Sequence, residues 1–476
     1  MVERASSGVE DLDAVIEGGF PRGSLILLAG NPGTGKTVFS TQFLVRGAES
    51  GEPGVYVSFA ESKDVLIENV SRHLGVDLKR LESQSKLKVL DMVAMKELGI
   101  SAALEAILRE VEAVKAKRLV IDSFSAMAQA FKEPIDVRII VHTILSRLTR
   151  KMDCTTIMIE ETPIGGYGVG LGLEEFVADG VIVLRAGELD GRLLRDLELV
   201  KLRGTELAER KLVFTLKGGF RAFPSFKPKP LKERKRFQSI KDSLTHFSTG
   251  CRELDELLGG GLPKGASVLL ELSEKLSTLD YHLILLPIML NFGIQGRGVL
   301  LIPSTGIGAE LTREIALGYG ATEDEINRLL RVYETLTPGK DQKKPYIAVI
   351  EGKDASKDYQ EYLKLESKLA HETGQPVMSV AGADTLVRRY DEKGAESLYG
   401  EESTKIRQRK SLGIAIVKPG YEQLAQKLSS MVETHLRLLR EHGCLLIYGI
   451  KPRTSLYAVE MDISKGYPLP RLTPIV

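Results

Sequence analysis

Residues 30–37 read Gly30-Asn31-Pro32-Gly33-Thr34-Gly35-Lys36-Thr37, which matches the pattern G-x-x-x-x-G-K-[S/T] at every fixed position. The apolar run Leu25–Ala29 precedes this stretch, and the helical run Val38–Ala48 follows it. A glycine-rich turn between a strand and a helix lets backbone N–H groups surround a phosphate, and the helix N-terminus adds partial positive charge. The stretch therefore predicts a phosphate-binding P-loop.

The P-loop pattern also assigns tasks to side chains. Lys36 reaches the β- and γ-phosphates of a nucleotide and is a predicted catalytic residue, and the Thr37 hydroxyl can ligate Mg²⁺. The predicted nucleotide-binding residues are Asn31, Pro32, Gly33, Thr34, Gly35, Lys36, Thr37 and Val38.

Two carboxylates outside the loop complete the predicted site. Asp122 ends an apolar strand, where it can hold the Mg²⁺ shell across from Thr37; the alternative is a cap for the next helix. Glu61 follows the strand Gly54–Phe59, at the sheet edge where open α/β sheets bind ligands. We expect Glu61 to orient or deprotonate the attacking water, against the alternative of a surface glutamate or a helix cap.

Composition disfavours several classes of protein. The 476 residues carry 65 Lys+Arg and 64 Asp+Glu, a formal net charge of +1, with no Trp and 6% aromatic residues. A dedicated nucleic-acid binder usually has a basic excess or aromatic stacking platforms, so a nucleic-acid partner is not favoured. Three scattered cysteines, no secretory signal pattern and no apolar run of membrane length predict a cytoplasmic protein without a membrane partner.

The chain contains an internal repeat. The patterns G-x-x-x-L-D at 8–13 and G-G-[F/L]-P-[R/K]-G at 18–23 recur 242 residues later, at 250–255 and 260–265. Two patterns recurring at one offset without a gap indicate tandem copies of one domain.

Domain boundaries follow from this repeat. Strands alternate with helical patterns, which predicts an α/β fold with a mostly parallel sheet flanked by helices in each copy. We expect the first domain at 1–225 and the second at 247–476, each ending in a β-hairpin extension. The segment 226–246 contains the basic, Pro-containing run Lys227–Arg236 and predicts a linker, with a nucleic-acid or partner surface as the less favoured alternative.

These motifs together resemble the KaiC family of the RecA/RadA superfamily of P-loop ATPases, in its double-domain archaeal type. The resemblance rests on the opening pattern at 8–23, the P-loop, the segment Leu173–Leu184 and the stretch Val200–Thr205. It implies RecA-type domains, ATP and Mg²⁺ as cofactors, and a homo-oligomeric ring such as a hexamer. The single P-loop and the basic clusters are also similar to the gas-vesicle regulator GvpD group.

The resemblance implies two residues that act between subunits. In rings of this family the K-L-R-G-T strand presents basic side chains to the γ-phosphate held by the neighbour, and these are Lys201 and Arg203 here. They would stabilise transition-state charge, which only an oligomer could arrange. The alternative is a basic pair on a solvated strand end.

Two departures from the family pattern change the expected activity. The family has two adjacent glutamates where this chain has Ala60-Glu61, which predicts slow ATP hydrolysis. Glu174, Glu175 and Ala178 stand near the phosphorylation sites of the clock kinase, so autokinase activity is not expected.

The second copy lacks the P-loop motif. At the offset of 242, the counterpart of the P-loop is Leu272–Leu279, which has no glycine and places Thr278 at the lysine position. Glu61 corresponds to Thr305 after a two-residue length change. Because side chains at former glycine positions would block the phosphate cradle, the second copy is predicted not to hydrolyse ATP.

The sequence offers two candidates for one further counterpart in the second copy. Met378–Gly382 and Ile414–Lys418 are both candidates for the strand that carries Asp122 in the first copy. Tyr457–Val476 resembles the first-copy hairpin Val181–Lys201, which predicts that the chain stops where the basic strand would begin.

Three functions fit these patterns. The first is a KaiC-like, Mg²⁺-dependent ATPase that acts as a conformational or assembly switch on an unidentified protein partner, with the second domain as a pseudo-ATPase. The alternatives are an ATP-binding regulator that does not hydrolyse and a RadA-like DNA-dependent ATPase, which the net charge disfavours.

Overall fold

The computed structural model describes residues 3–93, 100–129, 144–162, 177–335 and 344–476. These residues belong to two compact units. The first consists of 1–225 with 442–444 and 474–476, and the second of 226–441 with 445–473. Within the described ranges, no helix combines the length and apolar character needed to cross a membrane.

The elements of the first unit follow the predicted alternation of strands and helices. Its strands are β1 Arg4–Ala5, β2 Phe20–Pro21, β3 Leu25–Gly30, β4 Gly54–Ser58, β5 Leu87–Asp91, β6 Arg118–Asp122, β7 Thr155–Glu161, β8 Gly180–Leu189, β9 Arg192–Leu202, β10 Lys211–Thr215 and β11 Arg221–Phe223. Its described helices are Glu10–Asp13, Lys36–Glu49, Lys63–Leu74, Leu78–Ser83, Ile100–Val114, Phe124–Gln129 and the π-helical Ile144–Lys151.

Nine of these strands form one sheet in the order β11-β10-β9-β8-β3-β7-β6-β4-β5. The strands from β8 to β5 are parallel, and β9 to β11 continue the sheet in antiparallel fashion. Every residue of β3 is buried, as expected for a parallel strand covered on both faces. Leu25 and Leu27 join the core on one face of the sheet, and Ile26 and Leu28 join the core on the other.

Arg118 is an unusual first residue for a buried strand. It is 2% exposed, and its Nη1 donates to the carbonyls of Ser6 at 2.9 Å and Phe43 at 2.6 Å. Its Nε donates to the Glu52 carboxylate at 2.8 Å. Gly47 leaves the space for this side chain, since a Cβ there would lie 2.2 Å from the Arg118 Cδ. A buried guanidinium is tolerated here because its donors and its charge have partners.

We expect Arg118→Ala to lower the free energy of unfolding by about 3 kcal/mol, because it removes a buried guanidinium that donates to two carbonyls and, together with Arg22, pairs with Glu52. Chemical denaturation of the full chain measures this change. The control is Arg46→Ala, since Arg46 and Glu49 form an exposed pair at 2.8 Å, and we expect less than about 1 kcal/mol there. Equal losses in the two variants would contradict the structural role of Arg118.

The second unit repeats the same alternation. Its strands are β12 His246–Phe247, β13 Leu262–Pro263, β14 Ser267–Leu272, β15 Val299–Ile302, β16 Leu330–Thr335, β17 Ile347–Ile350, β18 Met378–Gly382, β19 Leu412–Val417, β20 Thr434–Glu441, β21 Cys444–Lys451, β22 Tyr457–Asp462 and β23 Leu469–Pro474. Its described helices are Arg252–Leu257, Thr278–Ile294, Ala309–Gly318, Glu323–Leu329, Ala355–Thr373, Ala383–Arg409 and Glu422–Met431.

The second sheet has the order β17-β16-β15-β18-β19-β14-β20-β21-β22-β23. Apart from the edge strand β17, this order matches the first sheet strand for strand, with β14 in the place of β3. The predicted α/β class, with two mostly parallel sheets, is confirmed. Because β18 occupies the place of β6, the strand Met378–Gly382 and not Ile414–Lys418 is the counterpart of the Asp122 strand.

The prediction that Tyr457–Val476 is the counterpart of the first-unit hairpin was wrong. The strands β8 and β9 correspond by sheet position to β20 and β21, so the matching hairpin spans 434–451. The later strands β22 and β23 take the places of β10 and β11. Sequence similarity misplaced the hairpin because short alternating strands resemble one another.

The segment 226–246 also differs from the predicted linker. It is extended, but it belongs to the second unit and bonds to it. The Lys235 N–H donates to the Gly466 carbonyl at 3.0 Å, and the Phe237 N–H donates to the Tyr319 carbonyl at 3.0 Å. Phe237 is 2% exposed. One buried aromatic ring and paired backbone groups thus fix the segment to the second unit, while the side chains of its basic run Lys227–Arg236 stay exposed as predicted, apart from the half-buried Leu231.

Candidate functional site

The P-loop lies between β3 and the helix Lys36–Glu49. Gly33 and Gly35 have φ values of 78° and 98°, a region that favours glycine. A Cβ on Gly30 would lie 2.6 Å from the Leu184 carbonyl oxygen, so no larger residue fits there. Gly35 precedes the helix without a side-chain cap. The N–H groups of the first helical turn are therefore not bound by a capping side chain and can serve an anion.

Lys36 lies inside this loop. Its Nζ donates to the carbonyls of Gly30 at 2.8 Å and Asn31 at 2.9 Å, and the residue is 7% exposed. Burial lowers the pKa of Lys36, and the nearby carboxylates of Glu161 and Asp122 oppose that shift. The structure thus holds a buried ammonium group against the phosphate-binding backbone.

Thr37 and Asp122 meet as predicted. The Thr37 hydroxyl donates to Asp122 Oδ2 at 3.3 Å, and the Tyr56 hydroxyl donates to the same oxygen. Burial raises the pKa of Asp122, although the hydrogen bonds from Tyr56 and Thr37 and the charge of Lys36 favour its ionised form. A hydroxyl and a carboxylate oxygen are ligands that Mg²⁺ prefers, so this pair fits the predicted metal.

Glu61 lies in the turn after β4, at the same sheet edge as the P-loop. Its N–H donates to the Ser58 Oγ at 3.1 Å, and the Ser58 hydroxyl donates to its carbonyl at 2.5 Å. The side chain is exposed. Burial is the main cause that raises the pKa of Asp122 and of Tyr56, and the charge of Glu61 adds to both shifts. Glu61 is therefore close enough to influence the Asp122 carboxylate electrostatically.

Sequence reasoning missed three residues of this site. Tyr56 looked like core, because it lies inside an apolar strand. Glu161 ends β7 opposite Gly30. An acidic residue at the end of an apolar strand is the same signal that identified Asp122, and it could have identified Glu161. Arg195 donates through Nη1 to the Gly33 carbonyl at 3.1 Å. It belongs to the antiparallel strand β9, whose register no motif in the sequence reveals.

Lys201 and Arg203 do not join this site. Lys201 Nζ donates to the Ala178 carbonyl at 2.7 Å, and the Arg203 guanidinium lies 3.6 Å from the Asp179 carboxylate. The Asp179 N–H donates to the Leu25 carbonyl, at the amino end of β3. The P-loop follows the carboxyl end of β3, six residues on, or about 20 Å away. Neither cation reaches the P-loop of its own chain.

The three residues on which the prediction of no autokinase activity rests lie only partly within the described residues. Ala178 is buried in the core of the first unit. Glu174 and Glu175 lie outside the described residues.

The counterpart of the P-loop in the second unit is closed by its own side chains. The residues between β14 and the helix Thr278–Ile294 have no left-handed φ, in contrast to the first unit. Ser277 and Asp280 form a capping box that satisfies backbone N–H groups of the first turn. Asp280 is 1% exposed and accepts hydrogen bonds from Arg440 at 2.7 and 3.1 Å. A chain carboxylate therefore occupies the anion-attracting end of this helix.

The acidic residues are also replaced in the second unit. By strand register, Ala381 of β18 stands in the place of Asp122. Thr305 stands in the place of Glu61, and its N–H donates to Asp384 Oδ2 at 2.9 Å. The second unit thus has neither a carboxylate at the metal position nor one at the position expected for the base.

Comparison with known proteins finds matches for both halves of the chain. A family model described as "ATPase: KaiC" matches residues 5–220, and one described as "GvpD basic region 2" matches residues 236–476. The circadian clock oscillator protein KaiC of Thermostichus vulcanus is 33% identical over 345 residues, which cover 70% of this chain and 63% of that protein. KaiC of Synechococcus elongatus is 36% identical over 276 residues, which cover 55% of this chain and 50% of that protein.

A crystal structure of a KaiC-like protein from Pyrococcus horikoshii is 37% identical, with a TM-score of 0.43, and covers 47% of this chain and 100% of that chain. The chain spans between 50% and 63% of the length of the curated relatives that it matches. Both halves match family models, and the first half carries the P-loop. The first half of the chain, residues 5–220, is KaiC-like and of the RecA superfamily of P-loop ATPases, and the second half belongs to the GvpD basic region 2 family.

Proposed function

We propose that the chain binds one Mg²⁺–ATP in its first unit and hydrolyses it slowly, as a nucleotide-driven conformational or assembly switch. The second unit acts as a pseudo-ATPase that serves interaction or regulation. The observation that carries this proposal is the contrast between the two loops: the first has two glycines in the left-handed region and a buried Lys36, and the second is closed by the Asp280–Arg440 pair.

The P-loop backbone and Lys36 bind the phosphates in this proposal. The nucleotide-binding residues are Asn31–Val38, and Thr37 and Asp122 would hold the metal. When bound, Mg²⁺ neutralises charge that develops on the phosphate oxygens. Tyr56 keeps the Asp122 carboxylate oriented through its hydrogen bond.

Glu61 is the proposed general base. It lies at the carboxyl edge of the sheet, where it can orient a water molecule against the terminal phosphate or accept its proton. The turn fixed by Ser58 positions its backbone, while the side chain stays exposed. An exposed base that is not flanked by a second glutamate favours slow turnover. Steady-state phosphate release, measured with and without Mg²⁺, tests the proposed Mg²⁺-dependent hydrolysis of ATP.

The Asp122 pKa makes metal binding depend on pH. Because burial raises that pKa above its usual value of 3.8, the apparent Mg²⁺ affinity should fall as the pH drops through a midpoint above the ordinary range. Tyr56→Phe removes a hydrogen bond that favours the carboxylate, so the midpoint should move further up. The measurement is the Mg²⁺ concentration for half-maximal turnover across pH, with Tyr319→Phe as control. An unmoved or lowered midpoint in Tyr56→Phe would rule out this linkage.

Lys201 and Arg203 are proposed to act on the nucleotide of a neighbouring subunit in a homo-oligomeric ring, for example a hexamer. They lie at the edge of the sheet opposite the P-loop, too far to reach the nucleotide of their own chain. This position supports a role at the nucleotide of a neighbouring subunit. The proposal requires that neighbouring subunits join these opposite edges.

Mixing two inactive variants tests the action between subunits. Lys36→Ala chains keep Arg203, and Arg203→Ala chains keep the P-loop. An equal mixture should therefore recover about a quarter of wild-type turnover, the fraction of interfaces that combine both intact partners. Phosphate release measured before and after subunit exchange gives the result. Turnover equal to the mean of the separate variants would refute the proposed trans contact.

A further inference from the structure

A cavity of about 90 Å³ lies within the second unit. Residues of β14, β18 and β19 line it, together with residues of the helices Ala355–Thr373, Ala383–Arg409 and Glu422–Met431. Five of the chain's 14 tyrosines contribute to its wall: Tyr333, Tyr359, Tyr362, Tyr390 and Tyr399. None of the proposed nucleotide-binding residues lines this cavity, so the cavity requires an explanation of its own.

Four of these tyrosine hydroxyls are bound within the protein. Those of Tyr359 and Tyr362 donate to the Glu402 carboxylate at 2.9 and 3.3 Å. The Tyr390 hydroxyl donates to Asp358 at 2.8 Å, and the Tyr399 hydroxyl donates to the Ala381 carbonyl at 3.0 Å. Since these acceptors already hold the hydroxyls, the four tyrosines offer a guest mainly their rings.

Tyr333 is different. The residue is 3% exposed, and its hydroxyl has no hydrogen-bond partner among the described residues. Its ring lies 5.6 Å from the ring of Tyr362, within the same wall. A buried hydroxyl without a partner costs about 1–3 kcal/mol. The cavity therefore combines aromatic walls with one buried hydroxyl, that of Tyr333, that has no partner among the described residues.

We propose that this cavity binds a small uncharged aromatic molecule, about the size of phenol, whose polar group bonds to the Tyr333 hydroxyl. Tyrosine rings favour an aromatic guest through edge-to-face and offset contacts. A charged guest is disfavoured because the mostly apolar wall cannot replace its hydration, and the two carboxylates that also line it, Asp358 and Glu402, are already bound to tyrosine hydroxyls. An apolar cavity of about 150 Å³ in another protein takes up benzene, so a cavity of about 90 Å³ admits at most one ring and excludes fused ring systems.

This binding would give the second unit a sensing role of its own. All the residues that line the cavity lie in the second unit, and none belongs to the P-loop site. Binding in the cavity does not depend on ATP hydrolysis, so the proposed ligand and the proposed ATPase function can be tested separately.

Calorimetric titration of the full chain with phenol, benzene and tyramine tests the proposal. We expect saturable binding of phenol and benzene, with phenol tighter by about fivefold because it bonds to Tyr333. Tyr333→Phe should abolish this advantage while keeping benzene affinity, and Tyr319→Phe, a buried tyrosine outside the cavity, should change neither.

A second variant guards against an indirect effect. Ala415 lines the cavity, so Ala415→Leu should fill part of it and remove binding of both molecules. Circular dichroism shows whether that variant folds, and Tyr333→Phe remains decisive if it does not. The proposal is overturned by a lack of saturable binding, by a phenol advantage that persists in Tyr333→Phe, or by tighter binding of the cationic tyramine.

Discussion

Lys36→Ala should weaken ATP binding by about 100-fold or more and remove measurable turnover. The side chain is buried, and its ammonium group binds the carbonyls of Gly30 and Asn31 within the loop. Alanine removes the charge that faces the phosphates. Equilibrium binding of a fluorescent ATP analogue, together with phosphate release, measures both losses.

The chain offers a matched control for this variant. Lys275 is an exposed lysine in the second-unit counterpart of the P-loop, where it does not occupy the lysine position. Lys275→Ala should leave ATP binding and turnover within about twofold of wild type, as for a surface substitution. Retained turnover in Lys36→Ala, or equal losses in both variants, would defeat the assignment of the site to the first unit.

Glu61→Gln should keep ATP binding and lower turnover by about 10²- to 10⁴-fold, the usual contribution of a positioned base. Glutamine preserves the size of the side chain but cannot accept the proton from water. The exposed position of Glu61 keeps the substitution from disturbing the core. Single-turnover hydrolysis with excess protein separates this chemical step from product release.

Glu161→Gln is the informative comparison. Glu161 ends the neighbouring strand β7 and its charge acts on Lys36, so we expect a loss of less than about tenfold. A larger loss in Glu161→Gln than in Glu61→Gln would transfer the role of the base to Glu161. Wild-type turnover no faster than that of Glu61→Gln would instead favour an ATP-binding regulator that does not hydrolyse.

The local motifs predicted much of the first unit. The P-loop, the Asp122 strand and the position of Glu61 each depend on a few consecutive residues whose backbone conformation or strand end has a direct sequence signal. The contact between Thr37 and Asp122 followed because parallel strands end at one edge of the sheet. The 242-residue repeat likewise predicted that the second sheet would repeat the first.

Features that depend on tertiary packing were not predictable in the same way. The counterpart of Asp122 is Ala381, which only the strand order could identify, because two strands had equally apolar sequences. The basic segment 226–246 looked solvated, but buried Phe237 fixes it to the second unit. Arg195 reaches the P-loop from an antiparallel strand, and its register depends on long-range pairing that no local pattern encodes.

Of the two related units, only the first is expected to bind ATP. The most direct measurement is the number of ATP molecules bound per chain at saturation, made with the Glu61→Gln protein in Mg²⁺ so that the ligand persists. The account predicts one ATP per chain, falling to none when Lys36→Ala is added. Two ATP molecules per chain, or one that remains after Lys36→Ala, would contradict it.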